Sequence, residues 1–188
     1  MNTEKLVVGL AGMPGAGKSL VVETAWKMGY GVVVMGDVIR EETKKRGLSL
    51  NPENTGKVML DMRKQGGANI VARKCISKIE QLESKKVIID GLRSLSEAEI
   101  FRNEFPNFSL MAVYASPEKR FRRLYRRQRS DDPASWELFH KRDMRELSVG
   151  LGDAIAMAGH LIINEKNKGN TKADVQKALR RIERKWNR

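Results

Sequence analysis

The chain has 188 residues, 40% of them apolar, enough for one domain with a real core, and a formal net charge of +13. No apolar run approaches the roughly 20 residues of a membrane span, no cationic-then-apolar leader opens the sequence, and a lone cysteine, Cys75, excludes an internal disulfide framework or a multi-cysteine metal site. The cytoplasm is therefore the expected compartment, and the charge points to a polyanionic ligand or partner, whether nucleotide, nucleic acid or membrane surface, without choosing among them.

In chain order, residues 5–11 read as a short buried strand and residues 17–28 as a helix with Leu20, Val21, Thr24, Ala25 and Met28 on one face. A second strand covers 31–35. Asp37 is the expected N-cap of a short helix that stops at Gly47, and Asn51-Pro52 opens another that runs to Gly66-Gly67. A third helix, 68–83, carries Val71, Cys75, Ile79 and Leu82 on its apolar side, which makes Cys75 a buried thiol. Three helices between two strands exceed what a simple crossover needs, so residues 37–85 form a helical insert.

The third strand, 86–91, ends in Asp90, and Ser94-Leu95-Ser96-Glu97 is a capping box for the following helix. A fourth strand spans 109–115. Ser116-Pro117 starts an arginine-dense helix to Arg129, and Asp132-Pro133 is the expected cap of one reaching Leu147, with Trp136, Phe139 and Leu147 inward. After a short helix beyond Gly152, residues 160–164 give the fifth strand and 171–186 the last helix. Trp26, Trp136 and Trp186 read as core, and His140 and His160 as structural. Five short apolar strands alternating with helices predict a single α/β domain over 1–188, a five-stranded parallel doubly wound sheet with a short helical lid region at 117–148.

Gly12-Met13-Pro14-Gly15-Ala16-Gly17-Lys18-Ser19 fits G-x-x-x-x-G-K-[ST] between a strand and a helix. In that pattern successive main-chain N–H groups curl around an anion, Lys18 reaches the β/γ-phosphates and the Ser19 hydroxyl helps to hold Mg²⁺. The helix N-terminus adds roughly half a positive charge at the same spot. Asp90, at the end of a buried strand, stands where phosphate-loop proteins place the carboxylate for Mg²⁺ or its water shell. Ser19 and Asp90 are thus the candidate metal residues, and nucleotide-bound Mg²⁺ the expected cofactor.

The order phosphate loop, Gly36-Asp37-Val38-Ile39-Arg40, then Asp90-Gly91-Leu92-Arg93 resembles the P-loop nucleoside monophosphate kinases, adenylate kinase above all, and within them an archaeal adenylate-kinase-related family. The resemblance runs from Leu6 to Trp186. It implies ATP as phosphoryl donor, an acceptor bound over the 37–85 insert, and acceptor-phosphate contacts from Arg40 and Arg93. Dephospho-coenzyme A kinase, a cousin, has an aspartate after its second strand thought to act as base, a role that would fall to Asp37. Leu92 replaces the proline usual in adenylate kinase, and no glutamine follows to read adenine, so the acceptor base is left open. Arg123 and Arg127 are similar to the family's pair at the lid entrance; Arg129, followed by Asp131-Asp132, and Arg142 resemble the arginines that return from the lid. Phosphoryl transfer spreads charge over equatorial oxygens, which such arginines offset.

The function implied is a kinase acting on a nucleoside monophosphate or a similar phosphorylated acceptor. No membrane partner is expected. An alternative, motivated by the charge, is an ATPase or nucleotide switch acting on RNA or ribosomal particles, with Arg122 and Arg126 as the RNA contacts. The arginine-rich helix contains only Phe121 and Tyr125 as aromatics, which is thin for a stacking surface.

Overall fold

In the computed structural model, which describes residues 4–67, 69–129 and 132–187, five strands form one sheet in the order β2-β3-β1-β4-β5, every neighbouring pair parallel. The strands are β1 (Leu6–Ala11), β2 (Gly31–Val34), β3 (Lys86–Leu92), β4 (Phe108–Tyr114) and β5 (His160–Ile163). Between them run α1 (Lys18–Lys27), α2 (Met35–Lys45), α3 (Pro52–Gly66), α4 (Ile70–Gln81), α5 (Leu95–Glu104), α6 (Pro117–Arg127), α7 (Trp136–Ser148), α8 (Leu151–Ala156) and α9 (Lys168–Trp186). The chain leaves β1 for β2, returns to β3, then crosses to β4. That reversal leaves a crevice beyond the carboxyl end of β1, where open α/β sheets hold ligands.

The side-chain period of two divides each strand between two cores. Leu6, Val8 and Leu10 of β1 pack under α1 and α9 with Val21, Val175, Leu179 and Ile182. Val7 and Ala11 face the other side, against Val71, Cys75 and Ile79 of α4, Phe101 of α5 and Leu151 of α8. Gly9 sits on that second side because a Cβ there would come within 2.8 Å of the Phe108 ring. Burial makes Cys75 inert, its thiol pushed up to about 12.

Several local expectations are corrected. α2 starts at Met35, directly after β2 with Val34 as N-cap, so Asp37 lies in its first turn. An acid there complements the helix dipole, and its side chain is engaged by Arg40. The cap of α7 is Ser135, whose hydroxyl accepts from Leu138 N, and not Asp132-Pro133. Asn167 caps α9, which begins at Lys168 and not at Thr171. Ala68, the expected start of α4, lies outside the described residues. Trp26 is 65% exposed, and Trp136 and Leu147 are also exposed. Helical spacing placed all three correctly on helices but not on the buried side. Trp186 packs against the α1/α9 core.

Candidate functional site

The phosphate loop connects β1 to α1 at the crevice. Gly15 and Gly17 have φ of +79° and +102°, the left-handed region open to glycine. Space decides as well as conformation. A Cβ on Gly15 would lie 2.8 Å from Arg120 O, and one on Gly17 would collide with the Asn164 side-chain amide. The loop is therefore held from behind as closely as it is bent.

Three side chains make that backing. Arg123 donates to Gly15 O and Ala16 O at 3.3 and 3.2 Å, and to Asn164 O at 2.9 Å. Asn164, buried, donates from Nδ2 to Ala16 O at 2.8 Å and accepts from Thr171 through Oδ1. Arg120, also buried, donates to Pro14 O and Ala115 O and forms a two-pronged pair with Asp143 of α7 at 2.8 and 2.5 Å. With the loop's carbonyls drawn back, its N–H groups are left to face the crevice. Asn164, Thr171, Arg120 and Asp143 carry no motif, and no signal in the sequence singles any of them out.

On the crevice side, Lys18 Nζ donates to Gly12 O at 2.6 Å. Burial lowers its proton affinity, and the nearby Asp90 carboxylate pulls in the opposite direction. β3 runs on past Asp90 to Leu92, two residues beyond the expected strand-ending acid, and Asp90 is paired in register with Leu10 of β1 and Val34 of β2. Its Oδ1 is buried with no hydrogen-bond partner. Burial raises its affinity for a proton, with Lys18 and Arg40 opposing. A buried carboxylate oxygen without a donor suits Mg²⁺, which characteristically takes one or two protein oxygens and fills its remaining positions from phosphate and water. Among the described residues no cluster of three His, Cys, Asp or Glu side chains could hold a metal alone.

A cavity of about 160 Å³ opens beside this pair, lined by Gly12, Lys18, Arg93, Arg127, Arg142 and Glu146 among others. Met13, Pro14, Ala16 and Ser19 complete the loop, and Pro14 also lines the cavity. Each arginine here is steered by an acid. Arg93 lies 3.2 Å from Glu146 of α7. Arg127 grips Asp132 through Nε and Nη2 at 2.9 and 2.6 Å, and Arg142 approaches the same carboxylate at 3.9 Å. Arg127 holds the Asp132 carboxyl below the usual carboxylate range. Arg129 is exposed and donates its main-chain N–H to Asp132. Asp131, named with Asp132 as part of the return from the lid, lies outside the described residues. The structure therefore brings Arg127 and Arg142 to the cavity and places Arg123 behind the loop.

On the β2 side, Arg40 donates from Nε and Nη2 to Asp37 Oδ1 at 2.9 and 2.5 Å. Gly36 permits this fold-back, since a Cβ would meet Arg40 Nη1 at 3.1 Å. Both bonds use one carboxylate oxygen, so the second remains open to a ligand. Arg63 of α3, absent from the sequence expectation, approaches the buried Glu97 at 3.8 Å. Glu97 in turn accepts from Arg93 N at 2.8 Å, which ties α3 to the turn carrying Arg93.

Residues 11–140 match a protein family described as AAA domain. A UPF0200 protein of Thermococcus onnurineus is 44% identical over 181 residues, 94% of this chain and 98% of its own. The chain belongs to the UPF0200 family and, through residues 11–140, to the AAA domain family. In fold it is similar to TT1252 from Thermus thermophilus (TM-score 0.70, 16% identity, 94% of this chain and 97% of that one). It is also similar to shikimate kinase from Bacteroides thetaiotaomicron (TM-score 0.63, 16% identity, 95% and 98%). The architecture is that of a P-loop kinase-like α/β domain, and among the described residues no helix is long and apolar enough to cross a membrane.

Proposed function

We propose that this UPF0200 protein is a phosphotransferase that moves the γ-phosphoryl group of ATP onto a phosphorylated small-molecule acceptor such as a nucleoside monophosphate. The observation that carries the reading is the convergence of Lys18, Arg93, Arg127 and Arg142 on one cavity, with the unpartnered Asp90 oxygen one residue before Gly91 of its lining. A cation-lined cavity facing a phosphate loop suits two phosphorylated molecules meeting end to end.

In this reading the loop from Gly12 to Ser19 holds the donor's phosphates by main-chain N–H groups, and Lys18 follows the charge on the transferring group. Ser19 and Asp90 would hold Mg²⁺, which offsets charge on the β- and γ-oxygens when bound. Arg40 and Arg93 hold the acceptor's phosphate, and Asp37 takes a proton where the acceptor presents a hydroxyl. Arg127 and Arg142 face the transferring group, with Arg129 at the mouth of the site. Arg123 acts through the loop as a positioning residue. Closure of α6 and α7 over the cavity excludes water and suppresses wasteful hydrolysis.

A coupled assay across nucleoside monophosphates and dephospho-coenzyme A tests this directly, together with Arg40→Ala. The expected result is turnover with at least one acceptor, reduced on the order of tenfold or more by Arg40→Ala, while ATP binding is nearly unchanged. No turnover with any acceptor despite intact ATP binding would overturn the kinase reading. Wild-type behaviour of Arg40→Ala would overturn the acceptor placement.

A further inference from the structure

We propose that the outer face of α9, together with the cleft at its foot, is a docking surface for a single strand of nucleic acid. The surface is separate from the phosphate loop. It lies toward the opposite edge of the sheet, where β3 begins at Lys86 and α1 ends at Lys27, whereas the loop lies at the carboxyl ends of the strands.

α9 spends its apolar side on the core, with Val175, Leu179 and Ile182 buried under the sheet. What remains outside is cationic: Lys177, Arg180, Arg181, Arg184 and Lys185 are all exposed. Between Val175 and Asn187 the only acid is Glu183, and Lys86 engages it at 2.9 Å. Asp174, three residues before Lys177, is the nearest exposed acid on the helix, so five cations stand against one exposed carboxylate along this face. Their field is felt across the edge of the sheet. His160 of β5 binds its proton more weakly than usual, first because it is partly buried and then because Lys185 and Arg181 are close.

At the foot of α9 a cleft of about 320 Å³ is lined by Ser84, Lys85, Lys86, Trp186 and Asn187, with Gly29 and Glu183. It joins an indole to the exposed Lys85, the combination that stacks a base and holds its phosphate, while Lys86 is taken up by Glu183 and Met28 O. Trp26 stands on the last turn of α1, three residues before Gly29, and is the most exposed tryptophan of the chain. α1 packs along α9, the two joined by Lys172 and Glu23 at 3.4 Å. A row of cations with an exposed indole on the neighbouring helix and a half-buried one in the cleft fits a phosphodiester strand with unstacked bases. An anionic membrane would instead require a broad apolar face to insert, and the aliphatic side of α9, Val175, Leu179 and Ile182, is buried in the core.

The test uses the full chain with a labelled oligouridylate, the matching oligodeoxythymidylate and phosphatidylserine vesicles. Binding is read by fluorescence anisotropy or co-sedimentation across a salt series. The wild type should bind the oligonucleotides with a steep salt dependence. Combined Lys177→Ala, Arg180→Ala and Arg184→Ala should lower affinity at least tenfold and flatten the slope of log K against log salt by about 2, from roughly 0.7 per lost single-strand contact. Trp26→Ala should lower affinity roughly tenfold with little change in slope. Equal binding of both oligonucleotides assigns the surface to any phosphodiester strand, and preference for oligouridylate assigns it to RNA.

Because the substituted side chains are exposed, circular dichroism and any phosphotransfer activity should be unchanged, which keeps this test independent of the kinase reading. A wild-type salt slope in the triple variant would overturn the proposal. So would an equal loss in an Arg122→Ala, Arg126→Ala variant of α6, or vesicle binding as tight as oligonucleotide binding.

Discussion

The two halves of the cleft are built from different materials. On the phosphate-loop side, the donor side of the proposed reading, the positive potential comes from main-chain N–H groups, and side chains appear behind the loop, where Arg120, Arg123 and Asn164 hold its carbonyls. On the other side, proposed for the acceptor, the positive potential comes from arginines, each beside an acid: Arg40 with Asp37, Arg93 with Glu146, Arg63 with Glu97. The donor half is thus a fixed dipole that needs no rearrangement to receive phosphate. The acceptor half is a set of cations whose charge is partly balanced until a ligand joins them. Balanced cations bind anions less tightly but more selectively, because the ligand must improve on the carboxylate already there.

The sharpest way to break the comparison is to remove the donor side's backing. Arg120 and Asp143 are both buried, and deleting one partner strands the other's charge. Arg120→Ala should cost about 3–5 kcal/mol of stability and free Pro14 O from its donor. Chemical denaturation measures the first effect. A loss under about 1 kcal/mol would mean that α6 and α7 do not brace the loop as described.

Lys18→Ala comes next. It removes the one donor-side cation that reaches into the cavity, and should lower turnover with any acceptor by about 10² to 10³ while leaving the melting temperature near that of the wild type. Among the described residues the hydrogen bond of Lys18 is to Gly12 O, so little of the fold depends on it. Retention of more than about a tenth of wild-type turnover would shift the donor-side charge to Arg127 and Arg142.

The same division explains what the sequence could reveal. The strand–loop–helix order, the glycine spacing and Asp90 at the end of an apolar run are local patterns, and local patterns survive in a one-dimensional reading. Five strands and the doubly wound sheet followed from them. The carboxylates that steer the arginines did not. Glu146 lies on α7 and Arg93 after β3, so only the tertiary fold joins them. Arg123 and Arg127, one turn apart on α6, looked equivalent, yet one supports the loop from behind while the other lines the cavity. Trp26 shows the limit of periodicity. Its place on α1 was legible, but which side of α1 would be covered depended on where α9 came to lie.

The acceptor side is sharpened by Glu146→Gln, which keeps the shape of the side chain and removes the charge beside Arg93. With the counter-charge gone, Arg93 should hold an acceptor phosphate more strongly. The Michaelis constant for the acceptor should fall several-fold, within the few-fold to tenfold range of a partly exposed ion pair. ATP affinity should not change. A rise in the constant would show that Glu146 orients Arg93 more than it competes with the ligand.

The smallest effect, and the most diagnostic, is that of pH on Asp90. Burial raises its proton affinity in the folded chain, so the folded state holds a proton that the unfolded state releases. Stability should therefore be highest below the ordinary carboxylate range. It should decline as pH rises from there through the raised value and be level above it. Asp90→Asn removes that decline, so the variant's melting temperature relative to wild type should improve as pH increases, while its turnover falls by about 10². In the proposed reading activity runs the other way, since a carboxylate that holds Mg²⁺ must be ionised. The acid limb of the wild-type rate profile should lie above the usual aspartate range and disappear in the variant. A gain in stability paired with a loss of activity at one residue would mark Asp90 as a group kept buried for its ligand and not for the fold. A variant less stable than wild type at every pH would show instead that Asp90 serves mainly as the counter-charge of Lys18.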